Sequence, residues 1–287
     1  MLILRTLSEL HVWRKSLAHD TSLGFVPTMG ALHAGHMKLI EEARVECATV
    51  IVSIFVNPLQ FAPTEDLARY PRPFENDVAL CEAASVDAIF APAADAFYAK
   101  DHATYVDVSG LDRYLCGAAR PGHFRGVCTV VLKLFNLVKP QRAYFGQKDI
   151  QQFLILAKMV KDLSVDLEMI RVDTVRETGE DSAGLALSSR NTYLTAEQRR
   201  AATALYRGLS RAREARKASE TSVATLKSLI RSEIEASPLA RIDYIEIVAQ
   251  SNLQPVAVTD VPIDVPLVMA VAVFYGTTRL IDNLVVG

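Results

Sequence analysis

The sequence predicts an α/β protein: a Rossmann-like, doubly wound parallel sheet followed by a smaller C-terminal α+β domain. Three observations carry this. Short β-branched runs alternate with helical apolar periodicity up to about residue 172. The middle runs are continuously apolar, as in strands covered on both faces. After the SSRN segment the order changes to two helical stretches followed by three strand-like runs.

In chain order, LGFVP (23–27) reads as a buried strand, and Met37, Leu39, Ile40 and Ala43 then recur at helical spacing. TVIVSIFV (49–56) and VDAIFAP (86–92) are buried strands, with a helix over Asp77–Ala84 between them. TYVDV (104–108) alternates weakly, and Val127–Val138 carries an apolar helical face. RAYFG (142–146), Ile150–Asp162 and VDLEMIRV (165–172) complete a strand, helix, strand series. This places a Rossmann-like domain at 1–180 and a small α+β domain at 181–287. In the latter, Thr195–Ala218 reads as one long polar helix with Thr195 as N-cap and Glu197 in its first turn, and Ser222–Ala236 as a second. The strands are 242–249, 266–274 and 278–286, the last two joined by a tight turn at Tyr275–Thr277.

Half the residues are apolar and the net charge is −2, from 31 Lys and Arg against 33 Asp and Glu, so no global excess of charge calls for nucleic acid or an anionic membrane. Cys47, Cys81, Cys116 and Cys128 are at least twelve residues apart, which disfavours a zinc knuckle or a disulfide framework and suits reduced thiols. MLILRTLSELHVW lacks the basic start of a signal peptide, and no run reaches the roughly 18–20 apolar residues of a membrane span. The expectation is a cytoplasmic protein.

PTMGALHAGH (27–36) places His33 and His36 between a strand and a helix. Three readings stand: a metal pair, packing histidines, or donors to an anion. The metal reading lacks the four-residue helical spacing of zinc histidines and a neighbouring Cys, Asp or Glu. The anion reading uses position. Ligands of doubly wound sheets bind at the carboxyl ends of strands, where a helix N-terminus offers unpaired N–H groups and partial positive charge. Gly30 and Gly35 would let the backbone approach closely.

Other segments have similar placement. FGQKDIQQ (145–152) follows a strand and opens a helix, so Lys148 suits triphosphate oxygens and Asp149 a helix cap or a ribose hydroxyl. LSSRN (187–191) offers Ser188, Ser189 and Arg190 to phosphate. VNPLQF (56–61) puts Asn57 and Gln60 at a strand end, and Gln152 adds a third amide; such neutral groups can hold hydroxyls and a carboxylate.

Strand, glycines, HAGH and amphipathic helix in that order resemble the HIGH-motif nucleotidyl-transferase superfamily. PTMGALHAGH, VNPLQF, YPR (70–72), RPGHFRGV (120–127), FGQKD, GLALSSRN (184–191) and TRLIDN (278–283) together resemble the pantothenate synthetase (pantoate–β-alanine ligase) family. That resemblance implies ATP-dependent condensation of pantoate with β-alanine through a pantoyl adenylate, releasing AMP and pyrophosphate. It implies that Met29, Gly30, Ala31, Leu32, His33, Ala34, Gly35 and His36 line ATP, with His36 as the family's proton donor. Gly146, Gln147, Lys148, Asp149, Val175, Leu187, Ser188, Ser189 and Arg190 would continue the nucleotide site. His33, His36, Lys148 and Arg190 would act in catalysis, and Pro27, Met29, Asn57, Gln60 and Gln152 would hold pantoate or β-alanine. The resemblance also implies magnesium carried mainly by the ATP phosphates, no assigned protein ligand but Asp77 as a helper behind it, and a homodimer without nucleic-acid or membrane partners.

TGEDSA (178–183) looks longer than the family's usual link and reads as a surface loop. The arginine-rich stretch over Tyr193–Lys217 reads as a solvated helix face because glutamates interleave. Two rival functions remain open here: a nucleotidylyltransferase that needs no amine, and an RNA-binding module using the basic helix.

Overall fold

The computed structural model describes residues 1–63, 65, 67–256 and 261–287. The first elements are β1 (Leu2–Leu4), α1 (Leu7–Ser16), β2 (Leu23–Thr28), α2 (Ala34–Glu46), β3 (Thr49–Ile54), α3 (Phe74–Ala83), β4 (Ala88–Phe90) and α4 (Ala94–Phe97). Then come α5 (Leu115–Ala119), α6 (His123–Val138), β5 (Arg142–Gly146), α7 (Ile150–Asp162) and β6 (Glu168–Val172). The chain ends with α8 (Ala196–Ala202), α9 (Ala204–Lys217), α10 (Val223–Glu235), β7 (Ala240–Ala249), β8 (Leu267–Tyr275) and β9 (Thr278–Val286). Two compact units result. One holds Met1–Asp112, Arg120–Gln147 and Gln152–Asp173; the other holds Arg113–Ala119, Lys148–Gln151 and Thr174–Gly287.

The first unit is built on a six-stranded, wholly parallel sheet in the order β1-β4-β3-β2-β5-β6. The direction of winding reverses between β2 and β5, the topological switch point of an open α/β sheet. Pairing of β2 with β3 runs from Leu23↔Thr49 to Thr28↔Ile54, whereas pairing of β2 with β5 stops at Phe25↔Ala143. Pro27 sits just beyond that stop and has no N–H to give a ladder. Strands β2 and β5 therefore part at their carboxyl ends. One layer of the core packs Val26, Val50, Val52, Ile89 and Tyr144 against Leu39, Ile40 and Ala43 of α2.

The second unit is an antiparallel sheet, β7-β8-β9, with Tyr275↔Thr278 closing the β8–β9 hairpin. Leu205, Leu209 and Ala212 of α9 and Leu226, Ile230 and Ile234 of α10 pack against Met269, Val271 and Val273 of β8.

The N-terminus contributes more than its apolar start suggested. Leu2–Leu4 is an edge strand, and Thr6 opens α1 in a capping box with Glu9. Thr104–Val108 forms no strand; the Val106 N–H is taken by Thr129 Oγ1 at 2.9 Å. The expected long helix after Thr195 is two helices. Thr203 Oγ1 donates back to the Arg200 carbonyl (2.8 Å) and accepts from Arg207 (2.6 Å), which interrupts the regular ladder.

The arginines of that stretch are ion-paired: Arg199 with Glu177, Arg207 and Arg211 with Glu233, Arg213 and Lys217 with Glu214. Arg216 departs from the solvated-face expectation. It is 2 % exposed and donates to the carbonyls of Val261 and Pro262, so it closes a backbone segment rather than meeting solvent. No helix among the described residues is long and apolar enough to cross a membrane.

Helix α6 passes so close to the Pro58–Gln60 turn that a Cβ on Gly126 would stand 2.2 Å from the Leu59 carbonyl oxygen. Gly126→Ala is expected to destabilise the protein by about 3 kcal/mol through backbone displacement, measured as a lowered midpoint in urea unfolding.

Candidate active site

In the first unit, the segment from Met29 to His36 leaves the carboxyl end of β2. Gly30 (φ +80) and Ala31 (φ +52) are both in the left-handed region, so the chain turns sharply. A Cβ at Gly30 would lie 2.9 Å from an oxygen of Asp77. Asp77, on α3 and 1 % exposed, fixes this turn by accepting from the Ala31 N–H (2.9 Å) and the Leu32 N–H (2.7 Å). Burial pushes its carboxyl above the ordinary value, and the two amides pull the other way.

His33 is the N-cap of α2. Its Nδ1 accepts from the Gly35 N–H (3.1 Å), while the Nδ1 of His36 accepts from the His33 N–H (3.3 Å). The two imidazoles form a capping box, with centroids 4.1 Å apart. The His36 and Met37 amides both reach the His33 carbonyl. The N–H groups of residues 35, 36 and 37 are therefore engaged within the motif, contrary to the expectation of unpaired helix amides. Because both Nδ1 atoms accept, each neutral ring carries its proton on Nε2. Among the described residues no group of three or more His, Cys, Asp or Glu can hold a metal ion.

Asn57 and Gln60 flank the Pro58–Gln60 turn after β3. Asn57 is 1 % exposed, and its amide group is engaged within the protein. Its Nδ2 donates to Gln60 Oε1 and the Gly126 carbonyl (both 3.1 Å), and its Oδ1 accepts from Leu59 N (3.3 Å) and Tyr98 OH (3.0 Å). Gln60 Nε2 donates to Met29 Sδ (2.9 Å), which joins this turn to the loop after β2. Behind Gln60, its carbonyl meets His123 Nδ1 (2.8 Å) and Arg120 (3.4 Å), and Arg120 is held by Glu65 at 2.6 and 2.8 Å. Glu65, Arg120 and His123 lay outside the predicted site; RPGHFRGV carried two of them.

Gly146 ends β5, and a Cβ there would meet nothing within 4 Å. Neither strain nor packing requires glycine, and the strand end beside the parted β2 stays open. Gln147 is buried and Gln152 half-buried on α7.

In the second unit, Lys148 and Asp149 lie in the 3-10 turn before α7, their charges 3.5 Å apart. Gln151, which sequence reading passed over, is buried and clasps α5 through the Gly117 N–H (3.3 Å) and the Tyr114 carbonyl (2.8 Å). Leu187 N donates to the Val175 carbonyl (3.0 Å), and Arg176 bridges to Ala186, so these strands of chain run side by side. Ser188 caps the Ser189–Tyr193 turn by accepting from Arg190 N. Asn191, 4 % exposed, ties that turn to Glu177 (3.0 Å) and the Ala186 carbonyl (3.1 Å). Glu180 and Asp181 are exposed, as expected of a surface loop, and its base is closed by Gly184 N to the Glu177 carbonyl (2.9 Å).

The sequence profile described as Pantoate-beta-alanine ligase matches residues 2–285. The chain belongs to the pantoate–β-alanine ligase family. It is 51 % identical to the pantothenate synthetase of Pelotomaculum thermopropionicum, over 100 % of this chain and 99 % of that one. The crystal structure of pantothenate synthetase from Thermus thermophilus is similar at TM-score 0.90 and 47 % identity, covering 99 % of both chains. The pantoate–β-alanine ligase of Francisella tularensis, solved in complex with β,γ-ATP and β-alanine, is similar at TM-score 0.78 and 33 % identity, covering 99 % of this chain and 97 % of that one.

Two outcomes follow from this geometry. Asp77→Ala is expected to lose about 3 kcal/mol in urea unfolding, since it strands two amides bonded to a charged group, and Asp77→Asn to recover part of the loss. Burial pushes the Glu177 carboxyl up, but hydrogen bonds from Ser182, Arg199 and Asn191 outweigh it and hold the group below its ordinary value of 4.5. A depressed carboxylate stabilises the fold above its unfolded-state pKa, and that contribution is lost as the pH falls through the folded-state pKa. Glu177→Gln is therefore expected to be less stable than the parent at pH 7, the gap closing below about pH 4, in urea denaturation across a pH series.

Proposed function

We propose that the His33–His36 capping box is the adenylation centre of this ligase, its two Nε2–H groups donating to the α-phosphate of ATP. As a member of its family the chain condenses pantoate with β-alanine at the expense of ATP. A carboxylate is a poor electrophile, so pantoate first takes AMP from ATP, releasing pyrophosphate; the β-alanine amine then displaces AMP. The observation that carries the histidine assignment is the commitment of both Nδ1 atoms to backbone amides, at the carboxyl end of β2 beside the sheet's switch point. Neutral donors fixed in place can follow charge that grows on the phosphate without first reorganising.

The remaining roles are as follows. Met29 to Gly35 form the wall of the nucleotide site along which the phosphates lie, and Gly146 and Gln147 leave room for the nucleoside. Lys148 and Arg190 supply fixed positive charge to the phosphates, with Ser188 and Ser189 as hydroxyl donors. Asp149 takes a ribose hydroxyl, and Val175 and Leu187 face the adenine. Gln60 and Gln152 hold the hydroxyls and carboxylate of pantoate, with Pro27 and Met29 as apolar contacts. Asn57 acts by setting the side chain of Gln60. The bound ATP and β-alanine of the Francisella relative support both substrate classes here.

Magnesium would enter as part of the ATP substrate, where it would screen the phosphate oxygens. Asp77 acts behind the site, through the loop it anchors. The working form is a cytoplasmic homodimer.

ATP–pyrophosphate exchange is expected to depend on pantoate alone, with AMP appearing once β-alanine is added; exchange independent of pantoate would contradict the reading. His36→Ala is expected to slow single-turnover adenylation at least tenfold, about 1.4 kcal/mol or more. His36→Asn and His36→Gln then divide the imidazole's roles. Asn keeps an acceptor near Nδ1 and is expected to hold the cap but not the rate. Gln keeps a donor near Nε2 that cannot transfer a proton, so a rate near that of the parent assigns His36 to charge stabilisation, and a rate like that of Ala assigns it to proton transfer.

A further inference from the structure

TRLIDN lies on β9, and nothing in the reaction scheme above uses it. Asp282 sits on the face of β9 that carries Leu280 and Leu284, both buried in the apolar core of the second unit, and it is itself 3 % exposed. A carboxylate there is costly unless paired. Arg176 pairs it through two bonds of 2.6 and 3.0 Å, and the Asn283 N–H adds a third at 2.8 Å. The same guanidinium donates to the Gly184 carbonyl (2.9 Å) and stacks on Tyr206, 3.8 Å from the ring centre. Arg176 thus fixes both sides of the 176–184 loop, directly between Val175 and the Leu187–Arg190 turn.

The next residue turns the other way. Asn283, 2 % exposed, donates from Nδ2 to the backbone carbonyl of Lys148 at 2.9 Å. Two consecutive residues of one strand therefore hold two segments separate in sequence: the turn that carries Lys148 and the loop that leads to Ser188–Arg190. An apolar pair at 282 and 176 would fill the core as well, and such replacements are often neutral or stabilising. What apolar side chains cannot do is set the backbone of both segments.

We propose that Asp282 and Asn283 are positioning residues for adenylation, aligning the phosphate-binding Lys148 and the Ser188–Arg190 turn on one rigid strand. Neither touches substrate; Asn283 acts through Lys148, and Asp282 through Arg176. This rests on the role of Lys148 proposed above.

A double-mutant cycle tests it. Single-turnover adenylation is measured for the parent, Asn283→Ala, Lys148→Ala and the double variant, with thermal melting of each. Asn283→Ala is expected to slow adenylation at least tenfold with the pantoate KM within twofold. In the Lys148→Ala background the same change is expected to alter the rate by less than twofold. A merely structural role would slow the reaction by the same factor in both backgrounds, and that result overturns the proposal, as does an unaltered rate in Asn283→Ala when Lys148→Ala is slow. If Lys148→Ala itself retains the parent rate, the assignment of Lys148 fails, and the inference falls with it. Should Asn283→Ala not fold, Asn283→Asp, equal in size but lacking the amide donor, enters the same cycle.

Discussion

The Asp77 carboxylate, held against two backbone amides, is the constraint on which the proposed site of the first unit depends. Without it the Gly30–Ala31 turn has no partner for the N–H groups of residues 31 and 32. Two consecutive left-handed residues are not a conformation a chain keeps unaided. The turn sets where His33 begins α2, and that start sets which nitrogen of each imidazole carries a proton. A helix-borne acid distant in sequence thus determines the hydrogen-bonding character of two rings.

The same arrangement recurs elsewhere in the chain. Gln60 is held through its side chain by Asn57 and through its carbonyl by Arg120 and His123. Asn191 fixes the Ser189–Tyr193 turn from within, and Gln151 clasps α5. In each case a buried polar side chain, bonded to backbone or to a neighbouring side chain, fixes the segment beside it, as preorganisation requires. The cost lies in desolvating those groups; the gain is a site whose geometry exists before substrate arrives.

The sheet and its strands were legible because apolar runs report burial directly: RAYFG and TRLIDNLVV begin and end where the strands do. The split at Thr203 was not, because a threonine hydroxyl competes with a helix ladder only once the next turn brings Arg207 within reach. Arg216 read as solvated for a related reason: its partners, Val261 and Pro262, are about 45 residues away and are backbone atoms with no sequence signature. The motifs marked the neighbourhood of the proposed site, since glycines and histidines clustered after strand ends suit ligand binding better than core packing. They did not reveal that the helix amides would be spent internally or that Asn57 would be saturated. Those facts belong to hydrogen-bond directions, which residue types leave undetermined. Asp77 stood among the candidates only as a helper behind the magnesium that the resemblance implies, and its anchoring function depends on a turn 46 residues earlier.

The capping box also bears on how two unlike substrates are told apart. Each ring has committed its lone pair to a peptide N–H, so what it can present in the neutral state is a hydrogen, not an acceptor. Under the proposed assignment, a phosphate or carboxylate oxygen finds a match there, and the ammonium group of an amino acid does not. Sorting by hydrogen-bond polarity in this way needs no charge on the loop.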